Sequence, residues 1–279
     1  MTAIAGIEVG CSTNLLNNPA EIVECVEALP LELATVELEL EEGTRVTLAK
    51  SDAASRQRLA AALLELAERQ GRRYLVHAPW FGRELSLCSP RFPELARTAL
   101  LLALDFAERI GSPIVTFHPG VHEKQTEAML IENLLANLDP IVRVADNAGI
   151  TLCMEIMGGE RSKNAQLSNA AHARVWEELG VRACLDVPHA ASRVATASDL
   201  KRYIDEMLGW LGHVHLADTE FGVHRHLPIG MGKLDLVGLL HHLASGGYRG
   251  SAVVEEWNRG HSSQVYLECA VRFATERRN

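Results

Sequence analysis

The sequence predicts a single (β/α)8 TIM barrel with a metal site at its C-terminal mouth. Short apolar runs of strand character alternate with amphipathic helical stretches from end to end, in eight units without a linker or a shift in composition. The chain has 279 residues, close to the length of such a barrel, so residues 1–279 read as one domain. Residue types that ligate metals also stand at the ends of successive strand-like runs. His77 closes YLVHAP, His118 closes IVTFHPG and Glu155 closes TLCMEIM. Asp186 closes ACLDVPH, His215 closes GHVHLAD and Glu255 closes SAVVEEW. They recur roughly every 30 to 40 residues, the span of one strand–helix–strand repeat. Core packing does not place polar, ligand-capable groups at the same point of successive repeats, so these six read as one shared site.

The elements follow in order. GIEVGCST is a first strand, and Asn18-Pro19 opens a helix through EIVECVEAL. ATVELEL alternates with the two-residue period of a second strand. Ser51 and Asp52 cap the helix AASRQRLAAALLELAERQ, which Gly71 stops. The third strand holds His77, and a helix runs from about Pro93 to Gly111. The fourth strand ends at His118-Pro119-Gly120, followed by a helix through NLLANLDPIVRVADNAG. The fifth carries Glu155, and a helix near ARVWEELG leads to the sixth, with Asp186. The seventh carries His215, with LDLVGLLHHLASGG as its helix, and the eighth carries Glu255 before QVYLECAVRFATERR closes the chain. An open doubly wound sheet would show G-x-G-x-x-G after the first strand, but residues 8–13 read EVGCST. The closed barrel is favoured.

Side-chain parity supports the shared site independently. Alternate strand residues share a face, so His77 goes with Leu75, His118 with Thr116 and Glu155 with Cys153. Asp186 goes with Cys184, His215 with His213 and Glu255 with Val253. With these faces inward, the deeper members fill the barrel and the ligands form the layer above, at the mouth where barrel enzymes place their chemistry. Parity alone leaves Glu255 and Glu256 as alternatives. Glu37 and Glu39 read equally as pocket-facing or as alternating charge on a half-exposed strand. His213 reads as a partner holding His215 or a carboxylate. His241 and His242 read as surface and groove residues of a helix.

Composition excludes several classes. Hydrophobic residues make up 47% and charged ones 23%, the balance of a soluble globular protein with a core. A net charge of −9 and a pI near 5.7 argue against a broad nucleic-acid or anionic-membrane surface. No basic, apolar leader opens the chain, and no apolar run approaches the roughly 20 residues of a membrane span. The six cysteines lie far apart without a Cys-x-x-Cys pair, which predicts reduced thiols in a cytoplasmic protein.

The segments HAP at 77–79, LCSP with the following LALDFAERIG, and FHPG at 117–120 carry a further signal. So do Asp186-x-x-His189, HLAD around His215 and HRHLPIGMG at 224–232. In these, over nearly its whole length, the chain resembles the xylose-isomerase-like TIM-barrel superfamily. That superfamily contains sugar isomerases and epimerases and the endonuclease IV branch, AP endonuclease family 2. The resemblance implies a core of Glu155, Asp186, His215 and Glu255 around one divalent metal, with GYRGSAVVE selecting Glu255 over Glu256. Such a set suits Mn²⁺, Zn²⁺, Co²⁺ or Fe²⁺ at an open site. The endonuclease branch implies two further metals, one on His77 and His118 with Glu155 bridging, the other on His189, His224 and His226. At position 224 that branch typically has aspartate. His224 removes a negative charge there and weakens the third site, so one core metal is expected, with two or three as alternatives.

Three functions remain to be weighed. The first is a metal-dependent isomerase or epimerase of a small carbohydrate or sugar phosphate, in which Glu155 and Glu255 exchange the substrate proton across a stabilised enediolate. His189 would orient a substrate hydroxyl and Trp80 would line an apolar wall, while Arg225, beside Gly230 and Gly232, reads equally as an anion contact or as a solvated loop residue. The second is a multinuclear phosphodiesterase or hydrolase like endonuclease IV. Nucleic acid is disfavoured by the net charge and by the loop APWFGREL, where Arg83 is the single cation. The third is a non-catalytic barrel that keeps the site as a relic or sensor. Barrels of this kind often pair, so a homodimer is an open expectation.

Overall fold

Eight parallel strands close on themselves, as the alternation predicts. They are β2 (Ile7–Ser12), β3 (Thr35–Glu39), β4 (Arg73–His77), β5 (Ile114–Phe117), β6 (Thr151–Glu155), β7 (Arg182–Asp186), β8 (Leu211–Leu216) and β9 (Ser251–Val254). Each pairs with the next, and β2 pairs with β9 to shut the barrel. The computed structural model describes residues 3–15, 22–40, 52–80, 85–91, 93–120, 124–158, 167–255 and 260–276. Asn18, Pro19, Ser51, Arg83 and Glu256, to which the sequence reading assigned roles, lie outside the described residues.

One strand was not legible in advance. β1 (Ala3–Ile4) pairs antiparallel with β2, with Ile4 opposite Ile7. Ala5 and Gly6 turn the chain with φ of 52° and 82°, the two positive values that a type I′ hairpin needs. Two residues are too few to show a period.

The helices pack outside the strands. They are α1 (Ile22–Ala28), α2 (Ala53–Gln70), α3 (Pro93–Ile110), α4 (Glu127–Ala148), α5 (Asn169–Leu179), α6 (Val187–Ser192), α7 (Ala197–Asp205), α8 (Leu236–Ser245) and α9 (Ser263–Glu276). Their ends follow the expected chemistry. Asp52 accepts from the Ser55 N–H at 2.6 Å to start α2, and Gly71, at φ 65°, ends it in a conformation that a Cβ would strain. Thr126 caps α4, which begins six residues before the helix predicted from NLLANL and runs through Pro140. Two further helices, α6 and α7, leave little periodic signal, because α6 is only six residues long and α7 is polar on most of its surface. Among the described residues no helix is long and apolar enough to cross a membrane.

The main apolar core lies between strands and helices, around residues such as Phe106, Leu134 and Leu240. The barrel interior follows the predicted parity. Cross-strand register sets Thr116 beside His77 and Cys153, Cys184 beside Glu155 and His213, and Val253 beside His215. The half-exposed reading of the second strand is corrected. Every residue of β3 is buried, Glu37 at 0% and Glu39 at 2% exposure, because a strand in a parallel barrel is covered on both faces. Its apolar residues Val36 and Leu38 join the outer core, so the acidic pair points inward. All six cysteines are free and buried.

Candidate metal centre

Six strand ends converge at the mouth. His215 Nδ1 stands 2.8 Å from Glu255 Oε2 and 3.4 Å from Glu155 Oε2. Glu155, Asp186 and His215 each bring a donor atom to within 4.8 Å of the others. Glu255 sits one residue past β9, where its N–H still donates to Leu216 O at 3.0 Å, which extends the ladder and keeps its side chain inward. The Asn14 amide reaches Glu255 Oε1 at 3.5 Å.

A second group forms around the same glutamate. His77 Nε2 lies 3.3 Å and His118 Nε2 3.1 Å from Glu155 Oε2. His77 Nδ1 donates to its neighbour's carbonyl, Ala78 O, at 2.9 Å, which leaves Nε2 as the nitrogen turned to the glutamate. His118 stands just past β5, and Trp80 stacks on it with ring centroids 4.9 Å apart.

The third group comprises Asp186, His189 and His226. Asp186 divides its two oxygens: Oδ1 accepts the His189 N–H at 2.5 Å and so caps α6, while Oδ2 lies 3.0 Å from His226 Nε2. His189 Nδ1 is 3.0 Å from both Ile156 O and Glu155 Oε1. His224 is more loosely placed. Its exposed ring lies 4.6 Å from that of His189, centroid to centroid, and it falls outside that donor group. Arg225 is exposed on the same loop.

Two devices hold these residues in place that the sequence reading did not identify. Asp218 accepts the N–H groups of Thr219, Gly230 and Leu234 at 2.9–3.0 Å and so folds the loop carrying His224, Arg225 and His226. The Tyr266 hydroxyl, on α9, then fixes the His226 carbonyl at 2.8 Å. Gly158 lets the chain leaving β6 pass close over α6: a Cβ there would stand 2.5 Å from His189 Cα. Neither is visible in spacing, because each acts through backbone positions that carry no periodic side-chain signal.

Protons and charges are strongly perturbed. Burial opposes ionisation of Glu155, but His118, His189 and His215 overcome it and hold the carboxyl well below its usual range. Asp186 is likewise driven down to about 2 by His189 and His226 against the cost of burial. Burial would neutralise His189, but Asp186, Glu155 and Glu255 lift it to about 9. His77 and His215 are also raised against burial, His77 chiefly by Glu39 and Glu155 and His215 by Cys184 and by the carboxylates of Glu255 and Glu37. His118 is lowered, burial outweighing its Glu155 contact. His224, exposed on one side and partly desolvated on the other, falls to about 4, pushed further by the neighbouring His189 and His226.

The residues fit a divalent cation. His118 Nδ1, both ring nitrogens of His215 and Glu37 Oε1 are buried without an in-line hydrogen bond. Orphaned buried donors call for an ion, a proton or a rearrangement. The donor set is oxygen and imidazole. The nearby thiol of Cys153 is pushed up to about 12 by burial and supplies no thiolate. Such a set suits Mn²⁺, Zn²⁺, Co²⁺ or Fe²⁺.

A barrel with histidines and carboxylates gathered at the C-terminal strand ends has the makings of a candidate metal centre. The profile of the xylose isomerase-like TIM barrel family matches residues 27–275, and the chain belongs to that family. An uncharacterised protein of Methanocaldococcus jannaschii is 26% identical over 203 residues, covering 70% of this chain and 68% of that protein. A probable endonuclease 4 of Malacoplasma penetrans is 26% identical over 174 residues, and the match spans 57% of this chain and 59% of that protein. The crystal structure of a D-tagatose 3-epimerase-like protein superposes with a TM-score of 0.76 over 97% of this chain and 99% of that one. At 21% identity that likeness concerns the fold.

Proposed function

We propose that the chain is a divalent-metal-dependent isomerase or epimerase of a small carbohydrate or sugar phosphate. The observation that carries this reading is the placement of two buried carboxylates, Glu155 and Glu255, 3.4 and 2.8 Å from the same His215 nitrogen. Glu155, Asp186, His215 and Glu255 would hold the core cation, and His77 and His118 a second one or the substrate. A cation there would supply Lewis acidity to the carbonyl and adjacent hydroxyl of a keto-sugar, acidifying the C–H next to the carbonyl.

The chain's own groups would then move the proton. One glutamate takes it from the C–H while the electron pair shifts to the carbonyl oxygen, and the other returns a proton to the opposite face. The strong lowering of the Glu155 carboxyl keeps it anionic and able to accept. His189 orients a substrate hydroxyl, Trp80 forms an apolar wall against His118, and Arg225 meets a substrate anion. Burial of the centre excludes water that would compete for the proton. Six free, buried thiols accord with a reducing compartment, and we place the enzyme in the cytoplasm.

A second reading is a multinuclear phosphodiesterase. The two further donor groups, His77–His118–Glu155 and Asp186–His189–His226, favour it, as does the endonuclease relative. The net charge of −9 weighs against a DNA substrate. The experiment is metal content of gently purified protein, followed by deuterium exchange from D2O into a ketose panel and cleavage of abasic duplex. About one Mn, Co or Fe per chain with exchange supports the epimerase. Two or three zinc ions with duplex cleavage replace it with the second reading. A protein that binds no metal, even after reconstitution, overturns both.

A further inference from the structure

One layer beneath the metal centre lies a carboxylate that the proposed reaction does not use. Glu37, in the middle of β3, is fully buried. An uncompensated carboxylate there would cost several kcal/mol. Its Oε2 meets two imidazoles, His213 Nε2 at 3.3 Å and His215 Nε2 at 2.9 Å. Its other oxygen has no hydrogen-bond partner.

The location of each proton follows from what each atom can do. His213 Nδ1 lies 3.1 Å from the Ser251 hydroxyl, which can donate to a bare ring nitrogen. His213 then carries its proton on Nε2 and donates it to Glu37. His215 Nδ1 faces Glu155 and Glu255. A ring nitrogen that ligates a metal must be bare, which sends the His215 proton to Nε2. There the Glu37 oxygen lies within hydrogen-bond reach, although the N–H is not yet in line with it.

We propose that Glu37 is a positioning residue: it holds His215 as the Nε2–H tautomer, so that Nδ1 is presented to the cation between Glu155 and Glu255. Its charge, passed through the imidazole, makes Nδ1 a stronger donor. The inference rests on the metal-centre reading above and is independent of which substrate turns over. Glu37, His213 and His215 also lie close enough together to be rival ligands of a cation themselves. Three donors, one already committed to the His213 hydrogen bond, make a poorer site than the layer above.

The test uses Zn²⁺ as the probe. Glu37→Gln keeps the volume and one acceptor oxygen, but loses the charge and turns an amide N–H2 toward one of the two imidazoles. We expect Zn²⁺ affinity, measured against a chromophoric chelator, to fall about 10- to 100-fold. Long-range ¹H–¹⁵N spectra of the histidine-labelled, Zn²⁺-loaded wild type should show His215 protonated at Nε2 and metal-shifted at Nδ1, and His213 protonated at Nε2. A folded Glu37→Gln that binds Zn²⁺ within about threefold of the wild type overturns the proposal. So does wild-type His215 ligating through Nε2, or a metal-shifted His213. If Glu37→Gln does not fold, the wild-type spectra decide alone. A wild type that binds no Zn²⁺ overturns the metal reading itself, an outcome distinct from binding through the wrong nitrogen.

Discussion

Glu155→Gln is the most informative single change in this protein. The carboxylate is buried and faces four imidazoles: His118 at 3.1 Å, His77 at 3.3 Å and His215 at 3.4 Å from Oε2, and His189 at 3.0 Å from Oε1. Glutamine keeps the shape and removes the anion. Two effects follow. In the metal-free protein, His77 and His189 lose a charge that helps hold them protonated. Breaking a buried charge network costs about 3–5 kcal/mol; because imidazoles can shed their protons, the lower end applies. For a chain of this size about 3 kcal/mol is roughly 6–12 °C in melting temperature. In the metal-loaded protein, loss of the acceptor should slow proton exchange into a ketose by about 10²–10⁴, or roughly 3–5 kcal/mol in barrier. The assay is ¹H NMR of deuterium uptake from D2O, with metal content measured on the same sample and circular dichroism verifying the fold. A folded Glu155→Gln that keeps its metal and exchanges at the wild-type rate would remove Glu155 from proton transfer. An unchanged melting temperature without metal would refute the electrostatic account.

Two further perturbations probe the scaffold. His172, buried on α5 and stacked on Trp176 at 5.5 Å between centroids, has its pKa lowered to about 3 by burial and by Arg193. It is neutral when folded and titrates near 6.5 when unfolded, so its contribution is complete above about pH 6.5 and is lost as the pH falls toward 3, on the order of a few kcal/mol. Urea midpoints from pH 7 to 4 should therefore fall less steeply for His172→Phe than for the wild type, and parallel curves would contradict this. Gly158→Ala places a methyl 2.5 Å from His189 Cα, and the resulting shift of α6 should cost about 1–3 kcal/mol of stability together with most of the turnover. A fully active, equally stable variant would show that α6 yields freely.

The barrel and the mouth layer of candidate ligands were legible because both obey local periods. Helix and strand alternate, each strand's inward face recurs every second residue, and the histidines and carboxylates of the mouth stand at the same step of successive repeats. His77, His118, Glu155, Asp186 and His215 needed nothing more than that, whereas only the family resemblance separated Glu255 from Glu256. Glu37 and Glu39 were legible in principle. An acidic residue at alternate positions reads as surface only if the strand has a solvent face, and a parallel barrel strand has none. The half-exposed alternative rests on the rule for a one-sided sheet, and burial on both faces leaves only the inward-facing one. Asp218, Tyr266 and Gly158 belong to another kind of information. Asp218 folds a loop through three backbone N–H groups, Tyr266 reaches a carbonyl forty positions away, and Gly158 is defined by what passes over it. None of these leaves a periodic trace. His224 shows a third limit. Its spacing from His226 suits a ligand pair, but exposure and loop direction leave it beside the Asp186–His189–His226 group rather than within it.

The same centre explains how a barrel tolerates so much buried charge. Five carboxylates, those of Glu37, Glu39, Glu155, Asp186 and Glu255, crowd its upper half, each buried. Without a counter-charge such an arrangement would be self-repelling. In the metal-free protein the compensation comes from imidazoles: His77, His189 and His215 all take up protons more readily than a free histidine, although burial disfavours it. A divalent cation placed among the same oxygens does the same work, and a ligand histidine must lose a proton to bind it. Protons and a cation would thus compete for one set of side chains. The tautomer that Glu37 is proposed to hold on His215 determines which nitrogen is ready to receive the cation.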